Sequence, residues 1–171
     1  ACKSEMNTPP QSSPLKLKRG RIEAPVHTSY RWVVFKEGGA YPNPTLTFIT
    51  SSCNHCQNPA CIASCPVNAI SKRESDGIVL IEQDKCIGCQ YCVWACPYGA
   101  PQWNENTKKV EKCTFCLHRQ GKGIKPACVT TCPGRALQMV DDFDFKVSGE
   151  NGPDGFASPE HTHPAIRFIS K

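Results

Sequence analysis

The chain has 171 residues and a formal net charge of +5, and 39% of its residues are hydrophobic, which allows one domain or two small ones. Its 13 cysteines are the unusual feature: in a chain with a limited core they must be crosslinks or metal ligands. No apolar run approaches the ~20 residues that a membrane span needs. Basic residues are densest over residues 16–21, but no aromatic residues are interleaved with them, which argues against nucleic-acid binding.

Short strands are predicted between the cysteine-rich loops. Residues 3–30 are polar and rich in Pro, Ser, Lys and Arg, and they are predicted to form an extended excursion instead of a core element. The strands that follow are β-rich or apolar runs bounded by turn residues, and the first two pair as a hairpin or lie as neighbours. The predicted pairings are 31–35 with 45–50, 69–71 with 78–81, and 101–103 with 109–111.

The cysteines form an internal repeat of three groups, each opening with Cys-x2-Cys and closing with Cys-x3-Cys-Pro. The second group has the unmodified spacing of bacterial two-cluster ferredoxins, in which three cysteines hold one [4Fe–4S] cluster and the fourth ligates its neighbour. The first and third groups differ only in a longer middle loop. The groups are Cys53, Cys56, Cys61 and Cys65; Cys86, Cys89, Cys92 and Cys96; and Cys113, Cys116, Cys128 and Cys132.

Other uses of cysteine explain this pattern less well. A disulfide scaffold conflicts with the odd cysteine count and with three Cys-x2-Cys pairs. Structural zinc also uses such pairs, but it does not explain the closing Cys-x3-Cys-Pro repeated three times. A dithiol redox enzyme would need a single Cys-x2-Cys motif. The spacing therefore favours [4Fe–4S] clusters.

Crossed ligation pairs the first two groups with each other. Three cysteines of each group hold one cluster, and the fourth reaches the cluster of the other group. One cluster is therefore expected on Cys53, Cys56, Cys61 and Cys96, and a second on Cys86, Cys89, Cys92 and Cys65.

The third group has no partner group in the sequence, and Cys2 is the only cysteine left. Its Ala-Cys context matches that of Cys96, so Cys2 is predicted to be the last ligand of a first motif whose other three cysteines lie upstream of this sequence. A third cluster then takes Cys113, Cys116, Cys128 and Cys2, and Cys132 serves a fourth cluster whose remaining ligands lie upstream. The alternative is that Cys2 is a free terminal thiol.

The predicted fold is α+β, with two ferredoxin-like dicluster modules built from short helices and small antiparallel β-hairpins, plus extended loops and a tail. Residues 52–112 form the central module. Residues 1–51 together with 113–140 form the second module. Residues 141–171 are polar, with scattered Gly and Pro, and are expected to lie as an extended tail over a surface of the protein or of a partner.

The sequence resembles the four-cluster iron–sulfur subunits of molybdenum enzymes of the dimethyl sulfoxide reductase and polysulfide reductase type. That resemblance implies a molybdopterin (bis-MGD) catalytic subunit and a quinone-interacting membrane-anchor subunit as partners, and a peripheral place in a membrane-associated complex. In some relatives a Trp replaces one ligand and a three-iron cluster results, whereas Cys92 holds that place here. The matching stretches are residues 52–61, 86–92, 95–102, 112–119, 126–128 and 163–168.

Electron transfer through iron needs no acid, base or nucleophile, so the chain is predicted to be a non-catalytic electron-transfer subunit. The alternatives are a stand-alone soluble polyferredoxin and an enzyme with an open iron site. Cluster potentials respond to flanking side chains. The simpler alternative is that the flanking Trp and Tyr only pack and that the two His bond to backbone or to a partner. The flanking candidates are His55, Trp94, Tyr98, Lys112 and His118.

Overall fold

The computed structural model describes residues 1–8, 29–140, 152 and 156–169, together with the backbone of 15–18 and 21–22. Within this part of the chain, every helix is four or five residues long and most strands are short. The elements are α1 Cys2–Glu5, β1 Leu15–Lys18, β2 Arg21–Ile22, β3 Arg31–Ala40, β4 Asn43–Ser52, α2 Ala60–Ala63, β5 Ile70–Lys72, β6 Val79–Ile81, α3 Tyr91–Ala95, β7 Gln102–Asn104, β8 Lys109–Glu111, α4 Leu117–Gln120 and α5 Ala127–Thr130.

The long hairpin of β3 and β4 is antiparallel and runs in register from Arg31 opposite Ser52 to the turn. Alternation places Trp32, Val34 and Ile49 on one face, where they are buried with Ala100. This is the hairpin expected from residues 31–35 and 45–50, extended at its turn. Because β4 ends at Ser52, the hairpin delivers the first cysteine group directly from a buried strand end.

Strand β1 adds to the edge of this hairpin, parallel to β3, and β2 pairs with β1 in the antiparallel sense. The expectation that residues 3–30 form only an extended excursion is therefore wrong where α1, β1 and β2 occur. A strand edge offers unpaired backbone groups whatever the polarity of the added side chains, so a polar segment can join it. Residues 9–14, 19–20 and 23–28 of that excursion lie outside the described part of the chain.

Two small hairpins, β5–β6 and β7–β8, confirm the predicted pairings to within one residue. Their buried side chains Ile70, Val79 and Val110 form one cluster with Cys61 and Cys92. Helix α2 packs against α3, so these two helices, which carry Cys61 and Cys92, share a core with the two hairpins. The small antiparallel hairpins and short helices of the predicted α+β fold are thus confirmed, and the division into two modules stays a prediction.

The C-terminal segment 156–169 returns to the first cysteine group. Gln57 N–H and Asn58 N–H donate to the carbonyls of His163 and Thr162 at 2.8 and 3.0 Å, and Ala165 N–H donates to Asn54 O at 2.9 Å. The described end of the predicted tail therefore covers this chain itself. Residues 141–151 and 153–155 lie outside the described part, and no helix that is described has the length and apolar character to cross a bilayer.

Candidate functional site: two cavities walled by cysteine

The first cavity lies between the first cysteine group and the end of α3, and it encloses about 370 Å³ including its mouth. Its cysteines come from a strand end, a loop, a helix and a helix terminus, so four separate elements aim thiols at one space. Three belong to the first group and one to the second. They are Cys53, Cys56, Cys61 and Cys96.

The second cavity measures about 300 Å³ including its mouth, and its set of cysteines is the reciprocal of the first. Three of its cysteines come from the second group, and one is the last cysteine of the first group. They are Cys65, Cys86, Cys89 and Cys92. The structure thus brings together the two sets of four side chains that crossed ligation predicts.

The loop of the second group passes so close to the β7–β8 hairpin that only glycine fits at one position. Gly88 has φ +72°, and a Cβ there would lie 2.5 Å from Lys108 O and 2.8 Å from the Trp103 ring. Both the positive φ and the lack of space exclude a side chain. Gly88 therefore holds the loop of Cys86 and Cys89 against the hairpin.

Backbone N–H groups point at several of the thiols. Ala69 N–H lies 3.2 Å from Cys65 Sγ, and Phe115 N–H lies 3.3 Å from Cys113 Sγ. Burial raises the pKa of Cys96. Backbone N–H groups, including that of Gly99, act in the opposite direction and lower it. Such donors stabilise negative charge on sulfur, which a metal-bound thiolate carries.

Burial, followed by the charge of neighbouring thiols, raises cysteine pKa values in both cavities. The pKa of Cys61 rises to about 12, and those of Cys56 and Cys92 rise to about 11. The neighbouring thiols responsible for each shift belong to the same cavity. Bare thiolates are therefore costly here, and a cationic group must displace their protons to bind.

The donor set fits a [4Fe–4S] cluster, which takes four thiolates. Asn54 supports this fit independently, because its side chain is buried in the wall of the first cavity and its amide has no hydrogen-bond partner among the described residues. A sulfide or thiolate in the cavity would supply the missing acceptor. No three His, Cys, Asp or Glu side chains of the described residues converge as the ligands of a single metal ion would.

Polar side chains from distant parts of the chain also help to line the first cavity. Lys112 is only 3% exposed and lines it. Thr162 lines it from the C-terminal segment: its hydroxyl lies 2.6 Å from Tyr98 Oη, and its hydrogen-bonding effect opposes the burial that raises the pKa of Cys56. The Phe156 ring stacks on Tyr98 at 5.2 Å between ring centres. Sequence inspection missed Thr162 because it lies far from every cysteine motif.

The N-terminal helix α1 contacts the segment that carries the third cysteine group. Glu5 bonds to His118 at 2.8 Å and to Arg119 at 3.0 Å, which ties α1 to α4, and α1 also packs against α5. Cys2 therefore lies close to Cys116 and Cys128. Burial is the main cause that raises the pKa of Cys2, and the charges of these two cysteines raise it further.

Cys113 of the third group is influenced by Cys53, which lines the first cavity. Burial, and then the charge of Cys53, raise its pKa to about 12. Cys132 follows α5, is half-buried and lines neither cavity.

Comparison with known proteins agrees with this arrangement of thiols. The sequence profile of the 4Fe–4S dicluster domain matches residues 44–142, which contain all three cysteine groups. The chain belongs to the 4Fe–4S dicluster family. It is therefore an iron–sulfur protein that holds several [4Fe–4S] clusters, and the expected cofactor is confirmed.

The related dicluster proteins are subunits of oxidoreductases. The chain is 39% identical over 182 aligned residues to a sulfite dehydrogenase subunit of Allochromatium vinosum, covering all of this chain and 75% of the relative. It is 53% identical over 108 residues to a polypeptide of the anaerobic dimethyl sulfoxide reductase of Escherichia coli, covering 62% of this chain and 52% of the relative.

A third relative is perchlorate reductase subunit beta of Dechloromonas aromatica, which is 42% identical over 134 residues, covering 77% of this chain and 40% of the relative. The chain thus spans less than two thirds of the length of two of these three proteins. The resemblance to iron–sulfur subunits of the dimethyl sulfoxide reductase type is confirmed.

The flanking residues of this dicluster protein divide into different environments. His55 is buried and accepts a hydrogen bond from Val79 N–H at 3.0 Å, which is the backbone contact that the simpler alternative predicted. Burial, and then the charge of nearby lysines, keeps the pKa of His55 well below its ordinary value. His118 bonds to Glu5 within the chain. Trp94 does not pack inside, because it is 75% exposed.

Proposed function

We propose that this chain is a non-catalytic electron-transfer subunit that relays single electrons between a molybdopterin catalytic subunit and a membrane-anchored, quinone-interacting subunit. The observation that carries the proposal is the pair of cavities, each walled by four thiols from two interleaved cysteine groups. A [4Fe–4S] cluster supplies reversible one-electron exchange when bound. The residues of the chain hold, insulate and tune such clusters.

The ligand assignment is part of the proposal. The first cavity would hold a cluster on its four cysteines, and so would the second. The third group would hold another with help from Cys2, whose position beside Cys116 and Cys128 supports this role. Cys132 would serve a fourth cluster with ligands from outside this sequence, which agrees with its absence from the lining of both cavities.

The walls explain how the chain protects clusters from water. Apart from its cysteines and Gln90, the second cavity is lined by aliphatic side chains such as Ile70, Ile81 and Val110. Apolar walls exclude solvent, which otherwise hydrolyses clusters and changes their potentials. None of these side chains could act as an acid, base or nucleophile, which suits a relay.

A partner surface is proposed beside the second cavity. Ile87 is 64%, Tyr91 52% and Trp94 75% exposed, and the two aromatic rings lie 5.9 Å apart. Exposed aromatic clusters mark protein interfaces more often than solvated surface. The proposed occupant is another subunit of the complex, which would make this chain a peripheral member of a membrane-associated assembly.

Iron analysis with EPR of the anaerobically purified protein tests this function. We expect about 12 irons per chain if three clusters assemble and about 16 if the fourth is present, with spectra of reduced [4Fe–4S] centres. Zinc in place of iron, or about 4 irons only, would overturn the assignment. Isolation of the native protein as a lone subunit would instead support a stand-alone polyferredoxin.

A further inference from the structure

Two lysines occupy the same place in the cysteine repeat but sit in opposite environments. Lys85 precedes Cys86, and Lys112 precedes Cys113, each following an acidic residue. Lys85 is 56% exposed and pairs with Glu82 at 2.8 Å. Lys112 is 3% exposed, and no salt bridge found among the described residues includes it.

Among the described residues, the buried ammonium of Lys112 donates to neutral acceptors only. Its Nζ donates to the carbonyl of Val79 and, at 3.1 Å, to the carbonyl of Cys113. Carbonyls satisfy its N–H groups but do not neutralise its charge. A buried cation of this kind is expensive unless negative charge lies nearby.

The cysteine sites can supply negative charge close to Lys112. Lys112 lines the first cavity, and its charge acts against the upward pKa shifts of both Cys61 and Cys113. Cys61 belongs to the first cavity, and Cys113 opens the third group. Lys112 therefore lies between two proposed cluster sites, whereas the described walls of the second cavity contain no charged side chain.

We propose that Lys112 is a positioning residue whose buried charge raises the reduction potential of the cluster in the first cavity and, through Cys113, of the cluster held by the third group. A cubane on four thiolates has a net charge of about −2 when oxidised and about −3 when reduced, so a nearby cation favours the reduced form. In that step one electron from a neighbouring centre converts a ferric to a ferrous iron. No bond of the chain breaks and no proton moves.

The inference rests on the proposed clusters, and it is tested by EPR-monitored redox titration of the anaerobically purified protein with its native partners. Lys112→Gln keeps N–H donors for the two carbonyls but removes the charge. We expect the oxidised-to-reduced ratio of the first-cavity cluster at fixed potential to rise about tenfold, a midpoint shift of about −59 mV for one electron. Cys89→Ser identifies the signal of the second cavity, which should not shift.

Matched variants separate charge from structure. Lys112→Arg should restore the midpoint, and Lys85→Gln, at the equivalent repeat position, should leave all midpoints within about a twofold change in ratio. Full iron content with an unshifted midpoint in Lys112→Gln would overturn the inference and leave the proposed function intact. Absence of iron–sulfur signals from the wild-type protein would overturn the proposed function itself.

A second charge-removing variant covers the case in which Gln disturbs assembly. Lys112→Met is apolar and of similar length, so it should be better tolerated in a buried site. A lowered midpoint in Lys112→Met supports the inference. Loss of the first-cavity cluster in both variants would overturn it, because Lys112 would then be needed for assembly and not for tuning.

Discussion

The two cavities arise from the same cysteine repeat but present different surroundings to whatever they bind. Three polar groups take part in the wall of the first: the buried Lys112, the amide of Asn54, which has no hydrogen-bond partner among the described residues, and the Thr162 hydroxyl from the C-terminal segment. The second is aliphatic, and exposed Ile87 and Trp94 lie beside it. Identical ligand sets can therefore be tuned differently by residues outside the repeat.

The largest expected effect comes from removing single ligands that cross between the two groups. Cys65→Ala should remove about four irons and the second-cavity signal, although Cys65 belongs to the first group. Cys96→Ala should remove the first-cavity signal, because crossed ligation places it there. Iron analysis and EPR of each variant give the result.

Uncrossed ligation would reverse these two outcomes. Cys65→Ala would then abolish the same signal as Cys61→Ala, which serves as the control because both ligation schemes place Cys61 in the first cavity. That result would contradict the assignment of one cluster to each cavity, on which the comparison of the cavities depends.

Substitution of Gly88 should damage the second cavity selectively. An alanine Cβ would collide with Lys108 O and the Trp103 ring at a positive φ, which should cost about 2–4 kcal/mol and reduce cluster occupancy at Cys86 and Cys89. Thermal unfolding and iron content measure both effects.

Gly99→Ala is the matched control for this substitution. Gly99 has φ +64°, but a Cβ there meets no atom within 4 Å, so only backbone strain of about 1 kcal/mol is expected. Equal losses in the two variants would show that close packing against the hairpin does not hold the second-group loop.

Removal of the Trp94 ring should weaken partner binding at the second cavity without affecting the first. Trp94→Ala should cost about 2 kcal/mol of binding free energy, roughly a 30-fold loss of affinity for the neighbouring subunit, with little change in stability. Quantitative co-purification or binding of the recombined subunits measures this.

Tyr41→Ala provides the control for Trp94, because Tyr41 is 96% exposed at the turn of the β3–β4 hairpin, and it should assemble normally. Unchanged affinity in Trp94→Ala would exclude this aromatic patch as the subunit contact.

The smallest effect is expected for the hydroxyl that reaches the first cavity from the C-terminal segment. Thr162→Val removes the hydroxyl that lowers the pKa of Cys56; if its loss costs about 1 kcal/mol of stabilisation of negative sulfur, the first-cavity midpoint should fall by about 40 mV. Ser64→Ala, whose hydroxyl bonds to a carbonyl instead, should leave it unchanged. A second-cavity shift in Thr162→Val would mean that the two environments are not independent.

Local patterns predicted the cysteine groups and the small hairpins well, because both depend on residues close in sequence. The hairpin of 69–71 and 78–81 is bounded by a turn signal and forms as β5–β6. The spacing typical of two-cluster ferredoxins predicted which four cysteines from two groups come together. The same two sets of four cysteines line the two cavities.

Long-range contacts could not be predicted in the same way. Lys85 and Lys112 have matching local sequences, and only the fold buries one of them. Thr162 reaches Cys56 because the backbone of the C-terminal segment pairs with Gln57 and Asn58, a contact without a local signal. For the same reason, β1 was not predicted: its pairing with β3 depends on an open strand edge and not on its own local sequence.

The most direct test of the account is the difference in midpoint potential between the clusters of the two cavities. An EPR-monitored redox titration of the wild-type protein gives both values once Cys96→Ser and Cys65→Ser have identified which signal belongs to which cavity. The buried charge and hydrogen-bond donors of the first cavity predict that its cluster has the higher potential. Equal potentials, or a higher potential in the aliphatic second cavity, would contradict the account.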